Sequence, residues 1–245
     1  MLFLLCPNNL EDIFNFKEGE VLLFDKPYGL TSFSIVNRAR GIIKRKLKVK
    51  NIKVGHAGTL DPLATGLLVI CTGKKTKTIV TIQDAEKEYT GTITLGATTP
   101  SCDLESEIDQ TFPVDHIDDS LIHSTANKFI GVHDQMPPIF SAKQVDGKRA
   151  YDLARAGKEV KLNTKRIEIK EFEVASIQRK SSTIEVNFRV SCSKGTYIRS
   201  LAFDFGKALN SGGHLSSLRR TRIGSFSVED AINADQFQVM LHGAE

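Results

Sequence analysis

The chain has 245 residues, of which 40% are hydrophobic and 25% charged, which is the composition of an ordinary soluble globular protein. This length suits one large domain or two small ones. Lys and Arg exceed Asp and Glu by 33 to 29, a small net positive charge. No apolar run approaches the ~20 residues of a membrane span, so the sequence argues against a membrane protein.

The first residues, MLFLLCPNNLED, contain a short apolar stretch but no basic segment before it and an early Pro-Asn-Asn. We therefore expect a mature N-terminus and no signal peptide. The four cysteines are scattered without a CxxC pair, which predicts free thiols in a reducing cytoplasm. Because no HExxH, GxGxxG or P-loop is present, the sequence predicts neither a metal nor a nucleotide cofactor.

The segment EVLLFDKP predicts a buried strand that stops at Pro27, and TSFSIVNRARGIIKRKLK then predicts an amphipathic helix capped by Thr31 or Ser32. The polar face of this helix is basic, and almost no acid interrupts it. A merely solvated surface usually has interleaved acids, so we favour a phosphate-binding face, with a solvated face as the alternative. The candidate phosphate-binding residues here are Lys44, Arg45 and Lys46.

The next segment, GHAGTLDPLATGLL, places a single carboxylate, Asp61, between a Gly-rich turn and an apolar run. Asp before Pro is a common turn element, which is the simpler interpretation. However, Gly55 and Gly58 would let the backbone approach a ligand closely. An ionised, positioned carboxylate is also a covalent nucleophile, so both interpretations stand at this point.

Further along, KKTKTIVTIQDAE predicts a helix with a basic start, and KEYTGTITLG predicts a strand with Tyr89 and Ile93 on one face. GATTPSCDLESEIDQ is a polar loop, and DSLIHSTANKFIG predicts a helix ending at Gly131. MPPIFSAKQVDGKRAYDLARAGK predicts extended segments around an Asp-Gly turn and a short helix ending at Gly157.

In the last part of the chain, RIEIKEFEVASI and TIEVNFRV alternate and predict strands, while TYIRSLAFDFGKAL has the apolar stripe of a helix. GGHLSSLRRTRIGSF predicts a turn leading into a strand, and a final helix covers roughly 229–241. Strands and helices mix without strict βαβ alternation, which predicts an α+β fold: a mixed, mainly antiparallel sheet with flanking helices. We expect one domain over 1–245, with 131–160 as an excursion from the sheet.

Four further residues stand out. Arg199 lies near the N-terminus of a predicted helix, where the helix dipole disfavours a cation by roughly 0.3–1 kcal/mol. Such a local conflict often marks a functional position, so Arg199 is either a solvated arginine or a partner for a carboxylate such as Asp61. Tyr89 is either a core tyrosine or a base-stacking one. Arg219 and Arg220 either meet phosphates or protect a sheet edge.

Six blocks in one order carry a resemblance: LLFDKPYGLTSF, VGHAGTLDPLATGLLVICTGKKTK, KEYTGTITLG, PPIFSAKQVDGKRAYDLARAG, CSKGTYIRSLAFDFG and HLSSLRRTRIGSF. They resemble the TruB family of tRNA pseudouridine synthases and cover most of 20–230. The resemblance implies a pseudouridine synthase fold, with helices and sheet around a central RNA-binding cleft. It also implies a thumb-like RNA-binding insertion at about 131–160.

The activity that the resemblance implies is isomerisation of uridine to pseudouridine at position 55, in the T-loop of tRNA, after base flipping and without a cofactor. Asp61 matches the family's catalytic aspartate. Tyr89 matches the tyrosine that stacks on the target uracil and is a candidate for proton removal. Arg199 matches the arginine that pairs with the catalytic aspartate.

Four further residues match positions that bind the substrate. His56 matches the histidine that enters the RNA loop when the target nucleotide flips out, and Leu218 matches an apolar residue that lines the uracil pocket. Lys26 matches the lysine of the first block, with a supporting role. Tyr197 lies in the same block as Arg199.

The chain differs from many bacterial members because too few residues follow SFSVEDA for a C-terminal PUA domain. We expect a compact, cytoplasmic, monomeric enzyme that binds the T-arm of tRNA, without a membrane or an obligatory protein partner. Two alternatives remain: an RNA-folding helper that uses the same cleft without catalysis, and a synthase that acts on another RNA loop. The joint presence of Asp61, Tyr89 and Arg199 argues against the folding helper.

Overall fold

A computed structural model describes residues 14–140, 144–145, 148–149 and 162–242, with the backbone alone described at 144–145 and 148–149. The chain forms two compact units. The first unit contains residues 1–85 and 221–245, and the second contains residues 86–220. The single domain expected from the sequence stays a prediction.

The described residues form five α-helices and thirteen strands, in the mixture expected of an α+β fold. The helices are α1 Ser32–Leu47, α2 Ile79–Asp84, α3 Asp119–Lys128, α4 Ile198–Ala208 and α5 Ala234–His242. The strands are β1 Val21–Lys26, β2 Val54–His56, β3 Ala64–Thr72, β4 Lys87–Leu95, β5 Ala97–Thr98, β6 Gln110–Thr111, β7 Gly131–Gln135, β8 Gln144–Val145, β9 Lys148–Arg149, β10 Lys165–Arg179, β11 Ile184–Cys192, β12 Gly213–Ile223 and β13 Phe226–Ser227.

In the first unit, β3 is the central strand, and both β1 and β2 pair with it in antiparallel register. Its apolar run is buried on both faces. Leu68 and Ile70 belong to the cluster that also contains the buried face of α1. Leu67 and Val69 belong to a second cluster. Successive residues of β3 therefore point to opposite faces of the sheet, as in any pleated strand.

Helix α1 confirms the predicted amphipathic helix. The hydroxyl of Thr31 accepts a hydrogen bond from the backbone N–H of Ser34 at 3.1 Å, which makes Thr31 the N-cap. The buried face includes Ile42 and packs in one cluster with Phe24 of β1 and Phe237 of α5. Because the apolar face of α1 is buried, the opposite face, which carries the basic residues, is exposed to solvent.

Two helices of the first unit differ from their predicted bounds. The segment Gly73–Thr78 is a 3-10 helix that leads into α2, where a single helix was expected. The hydroxyl of Thr76 donates to the Gly73 carbonyl at 2.7 Å, a local bond that competes with α-helical pairing. Helix α5 starts later than predicted because Asn233 and Gln236 form reciprocal capping bonds, each 2.8 Å long.

In the second unit, a sheet runs in the order β12, β4, β11, β10, β7, with antiparallel pairing from β4 through β7. The alternation in β11 is confirmed, since its apolar positions are buried. Phe172 of β10 is 5.9 Å from Phe188 of β11 and 5.3 Å from Phe205 of α4, measured between ring centroids. These rings hold α4 against the sheet.

The predicted excursion at 131–160 begins in β7, which pairs with β10. The extended segments on either side of the Asp-Gly turn are confirmed by the antiparallel pairing of β8 with β9. The short helix expected to end at Gly157, and most of the thumb-like insertion, lie outside the described residues. Across the described part of the chain, no helix is long and apolar enough to cross a membrane.

Candidate active site

Asp61 lies in the loop between β2 and β3 and is half-buried. Its backbone carbonyl accepts a hydrogen bond from the N–H of Ala64 at 3.1 Å, which closes a turn. The turn is therefore made by the backbone.

Leu60, the residue before Asp61, is hydrogen-bonded to Ser32 at the start of α1. The hydroxyl of Ser32 donates to the Leu60 carbonyl at 3.0 Å and accepts from the Leu60 N–H at 2.8 Å. Ser32 is 2% exposed, so these two bonds are shielded from water. As a result, the Asp61 loop and the first turn of α1 form one frame.

Lys26 fixes the other side of the same loop. Its ammonium group is fully buried and donates to the carbonyls of Pro27 at 2.9 Å, Leu30 at 2.7 Å and Pro62 at 3.2 Å. Three carbonyls satisfy the three donors of an ammonium group, which offsets the cost of burying its charge. The Pro62 carbonyl also accepts from the N–H of Gly29 at 2.9 Å.

Substitution Lys26→Met should lower the free energy of unfolding by about 3–5 kcal/mol, because the buried carbonyls lose charge-assisted hydrogen bonds while the apolar stem is kept. Urea denaturation measures this change. Lys48→Met removes an exposed lysine and is the matched control, which should stay within about 0.5 kcal/mol of the parent. Equal midpoints for the two variants would contradict the bracing role of Lys26.

Two of the other predicted site residues lie on strands. His56 is the last residue of β2, opposite Ile70, and is half-buried. Tyr89 lies in β4 opposite Val190 and is 9% exposed, on the buried face that also carries Ile93. Tyr89 is thus mostly enclosed, which suits either interpretation made from the sequence.

Arg199 is the second residue of α4, as the sequence predicted, so its cation does lie at the unfavourable end of a helix. The side chain is 5% exposed. Its guanidinium donates to the carbonyls of Ser101 at 3.2 Å and Phe140 at 2.9 Å. Its Nε lies 3.6 Å from Oδ2 of Asp103, a carboxylate with a 7% exposed side chain.

Asp103 was missed from the sequence, where it falls in a polar loop. Its Oδ1 accepts from the N–H of Glu105 at 3.0 Å, and its carbonyl accepts from the hydroxyls of Thr99 at 2.6 Å and Ser101 at 3.1 Å. The signal was a run of Thr, Ser and Asp, which often build local turns. That pattern indicates a turn, but it does not indicate that an arginine about a hundred positions later will meet it.

The thiol of Cys102, next to Asp103, is buried in a way that disfavours its thiolate form. Burial raises its pKa to about 11, although the nearby Arg199 guanidinium opposes the rise. A thiol with this pKa stays protonated at neutral pH, and the thiolate is the reactive form.

A second residue missed from the sequence, Gln135 at the end of β7, clamps the backbone of Tyr197. Its amide N–H donates to the Tyr197 carbonyl at 3.0 Å, and its amide oxygen accepts from the Tyr197 N–H at 2.8 Å. The hydroxyl of Ser200 donates to the Met136 carbonyl at 2.7 Å. The start of α4 is therefore tied to the segment that leads towards the predicted thumb.

The lysines and arginines predicted to bind RNA phosphates differ in their exposure to solvent. Lys44, Arg45 and Lys46 lie in the last turn of α1, where cations complement the helix dipole, and Arg45 is exposed. Arg219 is half-buried, but Arg220 is only 1% exposed. The period-two alternation of β12 turns residue 220 inward, so a surface phosphate contact by Arg220 is at odds with its burial.

Within each unit, the fold brings some of the predicted residues together. Lys26 and the Asp61 loop share one hydrogen-bonded frame, and Tyr197 and Arg199 share the start of α4. Leu218 is half-buried in β12. Within the described residues, no three His, Cys, Asp or Glu side chains gather as a metal site would require. The predicted pairing of Arg199 with Asp61 stays a prediction.

Solved structures with the same fold define the class of this protein. It matches a chain of a Cbf5-Nop10-Gar1 complex with a TM-score of 0.66 and 28% identity, over 94% of this chain and 58% of that one. A chain of the archaeal box H/ACA sRNP Nop10-Cbf5 complex matches with a TM-score of 0.62 and 25% identity, over 93% and 55%. The chain thus spans little more than half the length of these solved proteins. The fold is that of the pseudouridine synthases.

Sequence comparison narrows the class. The model of the TruB family pseudouridylate synthase N-terminal domain matches residues 44–198, and that of the tRNA pseudouridylate synthase B C-terminal domain matches residues 199–245. The chain belongs to the TruB family. It is 56% identical to a tRNA pseudouridine synthase B of Phocaeicola vulgatus, over 94% of this chain and 97% of the relative. One from Flavobacterium johnsoniae is 56% identical over 91% and 96%.

Proposed function

We propose that this protein isomerises uridine to pseudouridine at position 55, in the T-loop of tRNA. The observation that carries the proposal is its TruB family membership along most of the chain, with relatives named tRNA pseudouridine synthase B that it spans almost end to end. The half-buried Asp61, held in a braced loop, supplies a positioned carboxylate of the kind that the reaction needs.

The reaction breaks the bond between N1 of uracil and C1′ of ribose, rotates the base and joins C5 to C1′; C5 loses a proton and N1 gains one. Redox state and composition do not change, so no cofactor is consumed. Asp61 acts by attacking C1′ of the ribose, by attacking C6 of the uracil, or by removing a ribose proton to give a glycal. A general base then takes the C5 proton, and Tyr89 is the candidate for that step.

The remaining residues prepare the site. Arg199 keeps the Asp61 carboxylate ionised and oriented, because a nearby opposite charge favours the charged form. Since the target base must leave its stack before it reacts, His56 fills the vacated place in the RNA loop. Leu218 lines the uracil pocket, and Tyr197 supports the same pocket from the start of α4.

The proposed working form is a cytoplasmic monomer that binds the T-arm without an obligatory protein partner. The solved relatives are named as complexes with Nop10 and Gar1, whereas the synthase B relatives carry the name of an enzyme alone. Sedimentation of the purified protein with and without tRNA tests this. A single monomer mass, and activity without added protein, are the expected results.

The proposed activity is tested by tritium release from tRNA labelled at uracil C5, together with mapping of pseudouridine in tRNA from cells with and without the protein. We expect release by the wild-type protein and loss of the modification at position 55 in cells that lack the protein. If pseudouridine were lost from another RNA loop instead, that loop would be the substrate. Binding of tRNA without any release would favour a folding helper.

The basic end of α1 gives a separate prediction. Substitution of Lys44 and Arg45 by Ala should weaken tRNA binding and reduce the slope of log K against log salt by roughly 0.7–0.9 for each phosphate that is no longer neutralised. Fluorescence anisotropy between low and moderate salt measures the slope. An unchanged slope would mean that this face is only solvated. Replacement of Lys180, an exposed lysine of the second unit that pairs with Glu185, is the control.

A further inference from the structure

Three large apolar side chains are exposed close together in the sequence, in the turn after β1 and the first turn of α1. Tyr28 is 61% exposed, Leu30 is 41% exposed and Phe33 is 64% exposed. Single exposed apolar residues are common on protein surfaces, whereas two aromatic rings and a leucine within six positions are unusual, and we call these three residues the patch. Nothing in the proposed roles of the site residues uses them.

This patch is held rigidly beside the Asp61 loop. The carbonyl of Leu30 accepts from the buried ammonium of Lys26, and the N–H of Gly29 donates to the Pro62 carbonyl. Gly29 has a φ of +82°, a conformation that L side chains rarely adopt, so the turn is specified. Phe33 directly follows Ser32, whose hydroxyl is bonded to Leu60. The two rings therefore project from a frame shared with the catalytic carboxylate.

The charge around the patch indicates the partner. Between Lys26 and Gln83 the chain carries twelve Lys and Arg and a single acid, Asp61, a net charge of +11 against +4 for the whole chain. Along α1, Phe33 shares a face with Arg40 and Lys44, since residues seven and eleven positions apart align on a helix. A surface with rings at one end and cations at the other suits a partner with flat apolar groups and phosphates.

We propose that Tyr28 and Phe33 stack on unpaired bases of the RNA loop that flank the target nucleotide. This rests on the proposed function and assigns further substrate-binding residues to it. Single-stranded RNA presents base faces and a phosphate chain together, and aromatic side chains beside a basic groove are its usual platform. The rings act on binding of the loop, while the chemical step stays with Asp61.

The test uses the absence of tryptophan from the sequence. A Phe33→Trp variant has one tryptophan, whose fluorescence is quenched when a base stacks on it. We expect quenching on titration with a T-arm hairpin, and little quenching when the loop nucleotides beside the target are abasic. The control is Val239→Trp, at a position 51% exposed on α5, which should not respond. Equal responses to intact and abasic hairpins would overturn the proposal.

Anionic vesicles of phosphatidylglycerol provide the competing outcome, since aromatic and basic side chains also meet membrane surfaces. A blue shift with vesicles and no quenching by RNA would assign the patch to a lipid surface and overturn the proposal. In a second measurement, Tyr28→Leu and Phe33→Leu should each raise the Kd for the hairpin about five- to tenfold with kcat preserved, while Tyr28→Phe stays near the parent. Unchanged Kd values in both Leu variants would also overturn it.

The two proposals fail separately. Tritium release by the parent protein without quenching of the Phe33→Trp variant would leave the enzymatic function in place and remove the stacking role. Base-dependent quenching without tritium release would leave the RNA platform in place and remove the enzymatic function.

Discussion

Asp61→Asn should abolish tritium release from C5-labelled tRNA, with a loss of at least about a thousandfold in kcat. An amide has almost the same shape as the carboxylate but lacks its charge, so it cannot act as the nucleophile or base. The fold should survive, because the turn at this position is closed by the Asp61 carbonyl and the Ala64 N–H. Binding of tRNA should be kept or slightly strengthened, since one negative charge is removed near phosphates.

The matched control is Asp84→Asn, at the end of α2 in the same unit, which should release tritium at the parent rate. Filter binding and single-turnover kinetics separate the two effects. Release by Asp61→Asn within tenfold of the parent would remove Asp61 from the chemical step and return it to the turn residue of the simpler interpretation.

Arg199→Ala should lower the free energy of unfolding by about 3–5 kcal/mol, because it leaves the Asp103 carboxylate buried without its cation. It should also reduce kcat by at least about a hundredfold, since the proposed partner of Asp61 is lost. Arg199→Lys keeps the charge but not the planar fork that reaches the carbonyls of Ser101 and Phe140, so we expect only partial recovery.

The contrast is Arg189→Ala. Arg189 also lies beside carboxylates, Glu88, Glu171 and Glu173, but its side chain is 36% exposed, so we expect a cost of at most about 1 kcal/mol. The double variant R199M/D103L should cost less than the sum of its single variants, because neither charge is left unpaired. Strict additivity in this cycle would show that Arg199 and Asp103 do not interact in solution.

Regular patterns in the sequence predicted most of the elements. Helix α1, strand β11 and helix α4 follow from periodicity and capping signals, which act over a few residues, although these signals left the cap of α1 open between Thr31 and Ser32. The observed starts of α2 and α5, at Ile79 and Ala234, differ from the predicted starts. Local side-chain hydrogen bonds at Thr76 and Asn233 determine where each α-helix begins. Such competing local bonds have no periodic signal.

The site was predicted unevenly for a similar reason. Asp61 and Arg199 stood out as local oddities, a lone acid among glycines and a cation at a helix start. Asp103 and Gln135 did not, because an acid in a polar loop and an amide in a strand are unremarkable until a distant partner is known. Their partners are Arg199 and Tyr197, which follow much later in the chain.

The sequence by itself determined the family and the α+β class and predicted the residues that carry the chemistry, since these depend on local patterns and on motifs read in order. The tertiary structure decided which polar groups are buried and what they bind: Lys26 on three carbonyls, Arg199 beside Asp103, and Arg220 turned inward. It also left Tyr28 and Phe33 exposed. Burial and pairing arise from contacts between residues far apart in the chain, and a single sequence does not specify those contacts.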